Sequence, residues 1–268
     1  MKPAPSGHPR ARQYLDSLAS SSRYTFTTSE AKLALGVSAP ALKVTLNRLA
    51  RQKLIVSPAH GFHIIVPPEY RSLGCLPADQ FIPSLMAALK LPYYAGLLTA
   101  AQYHGAAHQR PQEFQVMLER PRRPMACGLV KVAFIVRKNL RKVPTQSLNT
   151  PRGTVRLSTP EATAFDLVGY PHHAGGLNQV ATVLAELAER IDPKALTNVA
   201  KASPVPWAQR LGYLLERVGA PGKAEPLKKW VKQHAHESVS LLPKAPRTSA
   251  KRDHDWKLFL NTEIEVDL

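Results

Sequence analysis

The sequence predicts an α+β chain of two domains: a small helical module closed by a β-hairpin, then a larger mixed α/β domain. Three observations lead there. A pair of capped helices separated by a tight break occupies residues 27 to 52, a short hairpin pattern follows at 54 to 66, and the remainder mixes apolar β-rich runs with amphipathic helices. Thr27-Thr28-Ser29-Glu30 has capping-box spacing, so Thr27 starts a helix and Glu30 reaches back to it. That helix places Ala31, Ala34 and Leu35 on one face and breaks at Gly36-Val37. Ser38 caps a second helix running to about Gln52, with Pro40 tolerated in its first turn.

In this second helix Leu42, Thr45, Leu46 and Leu49 form an inward stripe. The opposite face carries Pro40, Lys43, Val44, Asn47 and Arg51, with Arg48 at its flank. Leu54–Ser57, a turn at Pro58-Ala59-His60-Gly61, and Phe62–Val66 read as a hairpin. Upstream, Ala11, Tyr14, Leu15 and Leu18 supply a covering helix. Helix, helix, turn, helix, hairpin is the order of a winged helix-turn-helix. The basic, acid-free outer face suits a polyanion, against the plainer alternative of a protein-packing module.

Charge agrees with that reading without selecting among polyanions. The chain holds 36 Lys+Arg against 19 Asp+Glu, a net +17, and residues 1–75 carry ten basic and three acidic side chains. Such an excess serves DNA, RNA or an acidic protein equally well. At 268 residues and 44% hydrophobic composition, two cored domains are expected, with boundaries at 1–75 and 76–268. Lys2, Arg10 and Arg12 precede no apolar run, and the most apolar stretch, 81 to 101, is broken by Pro83, Lys90 and Pro92. Neither a secretory leader nor a membrane span is expected. Cys75 and Cys127, far apart and outside any CxxC, fit small core residues of a reduced cytoplasmic protein rather than a redox pair.

Beyond the extended connector Pro67–Arg71, helices are expected at about 79–90 and 93–106, then strands around 114–118, 130–136 and 153–158. Thr159-Pro160 caps a helix through Val168, and four more follow at about 177–191, 193–202, 206–218 and 224–235. Short strands are expected at 256–261 and 263–266. Residues 108 to 156 hold eleven Lys/Arg against Glu113 and Glu119. Arg110, Arg120, Arg122, Arg123, Arg137, Lys138, Arg141 and Lys142 therefore mark a candidate basic face.

Catalytic patterns fail in turn. His104 and His108 have helical i, i+4 spacing but no intervening glutamate, so packing or capping histidines are the better reading. His172-His173 and His234/His236 lack companion ligands, and Gly175-Gly176 lacks the lysine and hydroxyl of a phosphate loop. Asp166, set in an apolar run, is expected to bond a neighbouring backbone or an arginine. No enzyme, cofactor or metal site is indicated.

Three stretches nonetheless resemble one family. The run from Leu91 to Met117 (LPYYAGLLTAAQYHGAAHQRPQEFQVM) is similar to the signature segment of the AbiEi antitoxins. So is Gly153 to Val168 (GTVRLSTPEATAFDLV) followed by Gly175-Gly176-Leu177. Gln209 to Leu215 and the closing Trp256, Asn261 and Glu265 resemble that family's C-terminal pattern. The resemblance implies an antitoxin of an abortive-infection, type IV toxin–antitoxin operon, in which the winged helix represses its own promoter and the second domain opposes a nucleotidyltransferase-like toxin. It carries the DNA-reading role onto Ser38, Lys43, Val44, Asn47, Arg48 and Arg51, with double-stranded operator DNA bearing inverted repeats as the ligand. Lys53 and the hairpin residue His60 join as phosphate contacts. Lys53 stands where glycine often precedes the Leu-Ile of such a hairpin. The alternatives are a stand-alone repressor answering to a small molecule, and an RNA-handling protein.

Overall fold

A computed structural model of the chain describes residues 7–106 and 111–265. In chain order the elements are α1 (Gly7–Ser20), β1 (Thr25–Thr27), α2 (Thr28–Leu35), α3 (Ala39–Arg51), β2 (Ile55–Ala59), β3 (Phe62–Ile65), α4 (Ala78–Ala88), β4 (Tyr93–Ala95) and α5 (Leu97–Tyr103). Next come β5 (Phe114–Leu118), β6 (Met125–Cys127), β7 (Val130–Val136), β8 (Thr145–Thr150), β9 (Gly153–Ser158) and α6 (Pro160–Gly169). The chain closes with α7 (Leu177–Leu187), α8 (Pro193–Lys201), α9 (Val205–Arg217), α10 (Pro221–His234), β10 (Val239–Ser240), β11 (Lys251–Asp253) and β12 (Leu258–Leu260). The α+β class is as the sequence predicts. No helix among the described residues is long and apolar enough to cross a membrane.

Contacts divide the chain into two compact units that interleave. The first comprises residues 1–93, 112–136 and 147–156; the second comprises 94–111, 137–146 and 157–268. The first unit opens with α1, α2 and α3 and an antiparallel sheet of order β1-β3-β2, the element order of a winged helix. Its central strand β3 is buried along its whole length. Because successive side chains of a strand alternate faces, β3 feeds two cores. Ile65 joins Ala11, Leu15, Leu18, Phe26, Ala31, Leu42, Leu49 and Ile55 beneath the helices. Phe62 and Ile64 turn the other way, into a cluster with Phe81, Ile82, Leu85 and Met86 of α4 and with Val116, Leu118 and Val132 of β5 and β7.

The expected boundary near residue 76 therefore runs through a core. Cys75 and Leu76 lie fully buried in the second cluster, beside Phe62 and Ile64. Both cysteines share it: Cys127 hydrogen-bonds Cys75, and that bond together with burial pushes the Cys75 thiol well above its ordinary range. Gly74 and Gly128 make the approach possible, since a Cβ on Gly74 would sit 3.1 Å from Gly128, while Leu129 N–H donates to the Leu73 carbonyl at 2.8 Å. In the same unit β5 runs parallel to β7, and β6 pairs antiparallel with it.

In the second unit α5, α7, α8 and α9 pack around α6, of which residues 161 to 168 are all buried, and α10 packs on α8 and α9. Ala95 of β4 pairs in parallel with Leu157 of β9. A small sheet of order β10-β12-β11 ends the described chain. Several local expectations change. Residues 93–95 are strand rather than helix, β1 and β8 are additional, and the last strands fall at 251–253 and 258–260. Glu263–Glu265 form no strand, and Val266 lies outside the described residues.

Candidate nucleic-acid interface

The helix pair forms as its caps dictate. Thr27 accepts from the Glu30 N–H at 3.2 Å, and the Glu30 carboxylate accepts from the Thr27 N–H at 2.7 Å, closing the capping box. Gly36 ends α2 in the left-handed conformation at φ 62°. Ser38 then caps α3 by accepting from the Ala41 N–H at 3.4 Å. Within α2, Ala31 and Leu35 turn inward as expected, whereas Ala34 is exposed, as is Leu33 at 87%.

On α3 the predicted division of faces holds. Leu42 and Leu49 are buried, with Thr45 and Leu46 partly so. Pro40, Lys43, Val44, Asn47 and Arg51 are all exposed, as is Ser38 at the cap. No acidic side chain occurs anywhere in Ala39–Arg51. Arg48 is half-buried at the flank, and its Nε is buried without a hydrogen-bond partner. Lys53 is exposed and takes φ 57°, the left-handed conformation that glycine adopts without strain.

The hairpin turn is tighter than expected. β2 extends through Pro58 to Ala59, and the turn shrinks to His60-Gly61, with Gly61 at φ 74°. A register shift between Val56 and Ala59 leaves room for Pro58, which cannot donate to the ladder. His60 stays exposed at the tip. His63, unremarked in the sequence, ties hairpin to helix. Its Nε2 lies 2.8 Å from the Thr28 hydroxyl of α2, its Nδ1 lies 2.7 Å from the Ser57 hydroxyl of β2, and its ring stacks on Phe26 at 5.1 Å. The Thr28 N–H also donates to the Gly61 carbonyl at 2.9 Å. Burial, followed by the charge of neighbouring His60, holds the His63 imidazole below its ordinary pKa. Its signal was available: an HxI pattern inside a fully apolar strand demands polar partners.

The residues of the candidate basic face are divided between the two units. Arg120, Arg122 and Arg123 belong to the first unit; Arg120 and Arg123 are exposed, and Arg122 lies partly buried over the Phe134 ring at 5.3 Å. Lys138, Arg141 and Lys142 are exposed in the second unit. Arg110 lies outside the described residues, as does His108.

Arg137 requires correction: it is 2% exposed and faces no solvent. Its Nε donates to Asp166 at 3.0 Å, one terminal nitrogen donates to the Lys138 carbonyl at 3.0 Å, and the other reaches the Ser203 hydroxyl at 3.3 Å. The guanidinium lies 4.6 Å from the Trp207 ring. Tyr94 donates to the other Asp166 oxygen at 2.7 Å. Asp166 is wholly buried, and burial pushes its carboxyl up to about 6 against the pull of Arg137 and Tyr94. A buried carboxylate in an apolar helix needs a cation, and Arg137 supplies it.

The motif Gln209–Leu215 is structural as well. The Gln209 amide donates to the carbonyls of Glu237, Trp256 and Lys257, and Arg210 Nε donates to the Ser240 carbonyl at 3.0 Å. A Cβ at Gly212 would fall inside the Trp256 ring, so glycine is what lets that indole lie on α9. His104 donates from Nε2 to the Ser158 carbonyl at 2.8 Å, a packing role. Among the described residues no cluster of three or more His, Cys, Asp or Glu side chains is arranged to hold a metal.

Comparison with known proteins agrees with this architecture. The crystal structure of the RV2827C protein from Mycobacterium tuberculosis is similar at TM-score 0.69 and 17% identity, covering 92% of this chain and 90% of that one, which shows a shared fold. No curated protein matches the chain. The family model for the AbiEi antitoxin C-terminal domain matches residues 94–217, a span holding Tyr94, Arg137, Asp166, Gln209 and Gly212. Over these residues, somewhat under half of the chain, the sequence pattern and the buried scaffold are similar to the AbiEi antitoxin C-terminal domain.

Proposed function

We propose that the chain is a DNA-binding antitoxin: its winged helix represses the promoter of its own toxin–antitoxin operon, and its second unit counteracts a nucleotidyltransferase-like toxin in the cytoplasm. The observation that carries the DNA-binding part is the outward face of α3, where Lys43, Asn47 and Arg51 stand exposed with no acid among them; His60 is exposed at the hairpin tip. An amide pairs bidentately with adenine and an ammonium reaches guanine in the major groove, which suits Asn47 and Lys43 to base readout. Arg48, Arg51, Lys53, His60 and the Ser38 cap fit phosphate contacts along the same groove. The antitoxin part rests on the family of residues 94–217.

The test uses the full chain, because division near residue 76 would cut the cluster that joins Phe62 and Ile64 to α4, β5 and β7. Lys43→Ala/Asn47→Ala/Arg51→Ala should lose promoter binding in a gel shift yet still rescue growth against the neighbouring toxin. Loss of rescue by the wild-type chain would remove the antitoxin role, and promoter binding by the triple variant at wild-type affinity would remove the interface. A second reading, a small-molecule-responsive repressor, draws on a cavity of about 430 Å³ lined by Tyr24, Phe26, Glu30, Gln80, Ser84 and Arg152 within the first unit. A metabolite that raises Tm and releases DNA would favour it.

A further inference from the structure

On the reading of α3 as the DNA-reading helix, one residue of its outer face is out of place chemically. Val44 is 68% exposed between Lys43 and the Asn47–Arg48 turn, an apolar side chain in a polar, cationic surface. Its branched side chain bears no group that bonds a phosphate or a polar base edge. In the major groove the apolar feature of a base edge is the 5-methyl group of thymine. We infer that Val44 is a specificity-determining residue that packs against a thymine methyl in each operator half-site. Val44 and Asn47 are three residues apart, so they lie side by side on one helix face, separated by about 5 to 6 Å. Bases along a strand are spaced by about 3.4 Å. The thymine therefore falls within two base pairs of the adenine that Asn47 reads, and the half-site is A·T-rich at that point. The surrounding charge is complementary to DNA rather than to an apolar protein partner: Lys43 and Arg51 flank the patch and no carboxylate does.

The experiment removes that methyl group and leaves the protein intact. A half-site is first selected from random duplexes with the full-length chain, and each thymine is then replaced singly by deoxyuridine. At one position near the Asn47 adenine, affinity should fall about fourfold, the worth of one buried methyl group. The Val44→Ala variant should bind the thymine and deoxyuridine duplexes equally. Leu33→Ala, which trims a leucine 87% exposed on α2, should keep the wild-type discrimination. A half-site indifferent to every deoxyuridine, or continued discrimination by Val44→Ala, would overturn the inference while leaving DNA binding in place. Failure to select any sequence would overturn the DNA-binding reading, and this inference with it.

Discussion

Arg152 lies with its guanidinium 3.7 Å from the centre of the Tyr24 ring, while its Nε donates to Gln80 at 2.7 Å. The loop between β8 and β9 thus fastens onto the segment that enters β1, inside the first unit. An additional contact to Glu69 at 2.9 Å reaches a carboxylate more than half exposed and adds little.

Arg152→Ala should lower stability by about 2 kcal/mol, from the lost stacking and the unpaired Gln80 acceptor. Lysine should restore less than half, since an ammonium neither stacks as a plane nor presents its donors in a fixed fork. Denaturant unfolding measures both. Equal stability of the alanine variant and wild type would show the contact to be idle.

The Arg137–Asp166 pair predicts a pH-dependent defect. An acid whose folded pKa exceeds its unfolded value contributes stability below the unfolded value and loses it as pH rises through the folded one. Asp166 spans 3.8 to about 6 in this way. Arg137→Met removes the cation and drives the carboxyl higher still. Its deficit, about 3–5 kcal/mol at neutral pH and above, should shrink on acidification as Asp166 takes up a proton. Asp166→Asn leaves the guanidinium charged and buried and removes this titration, so its deficit should widen on acidification, the opposite trend. Tm measured across pH for the two variants separates these outcomes.

His63 gives the opposite slope. Its folded pKa is depressed below the ordinary 6.5, so unfolded chains bind more protons as pH falls. Stability is complete above that value and lost as pH drops toward the folded one. His104, lowered chiefly by burial, adds in the same direction. The acid-side fall in Tm between about pH 7 and 5 should flatten in His63→Gln. An unchanged slope would assign the effect to other groups.

Gly212→Ala should cost about 1–3 kcal/mol, because a methyl group there overlaps Trp256. The indole is wholly buried and donates to Glu216 at 2.8 Å, so its fluorescence reports displacement. Trp256→Leu introduced into the alanine variant should recover part of the loss, and a strictly additive double variant would exclude the clash.

Much of the first unit was legible because its signals are local. Caps at Thr27 and Ser38 and the 3.6-residue stripe of Leu42, Leu46 and Leu49 are written within single helices. β1 was not, because three residues become a strand by pairing with Phe62, His63 and Ile64 almost forty positions later. The division of the basic residues was hidden for a similar reason. Arg137 looks in sequence like Lys138 beside it, and what buries it is Asp166, 29 residues on. Treating an aspartate in an apolar helix as a demand for a cation would have singled out one arginine for the interior. The two-sided burial of β3 was likewise unreadable as a boundary, since an apolar run does not say how many cores it serves.

The alternation of the two units along the chain has a consequence for biosynthesis. Six segments alternate, so the first unit is complete only once residue 156 has been translated. A growing chain that has emitted α1 to β3 still lacks the β5 and β7 side chains that cover Phe62 and Ile64. The winged-helix-like elements at the start of the chain therefore cannot finish their packing by themselves; more than half of the polypeptide must emerge before either unit is complete. A chain truncated near its middle therefore lacks residues 147–156 of the first unit and leaves neither unit whole.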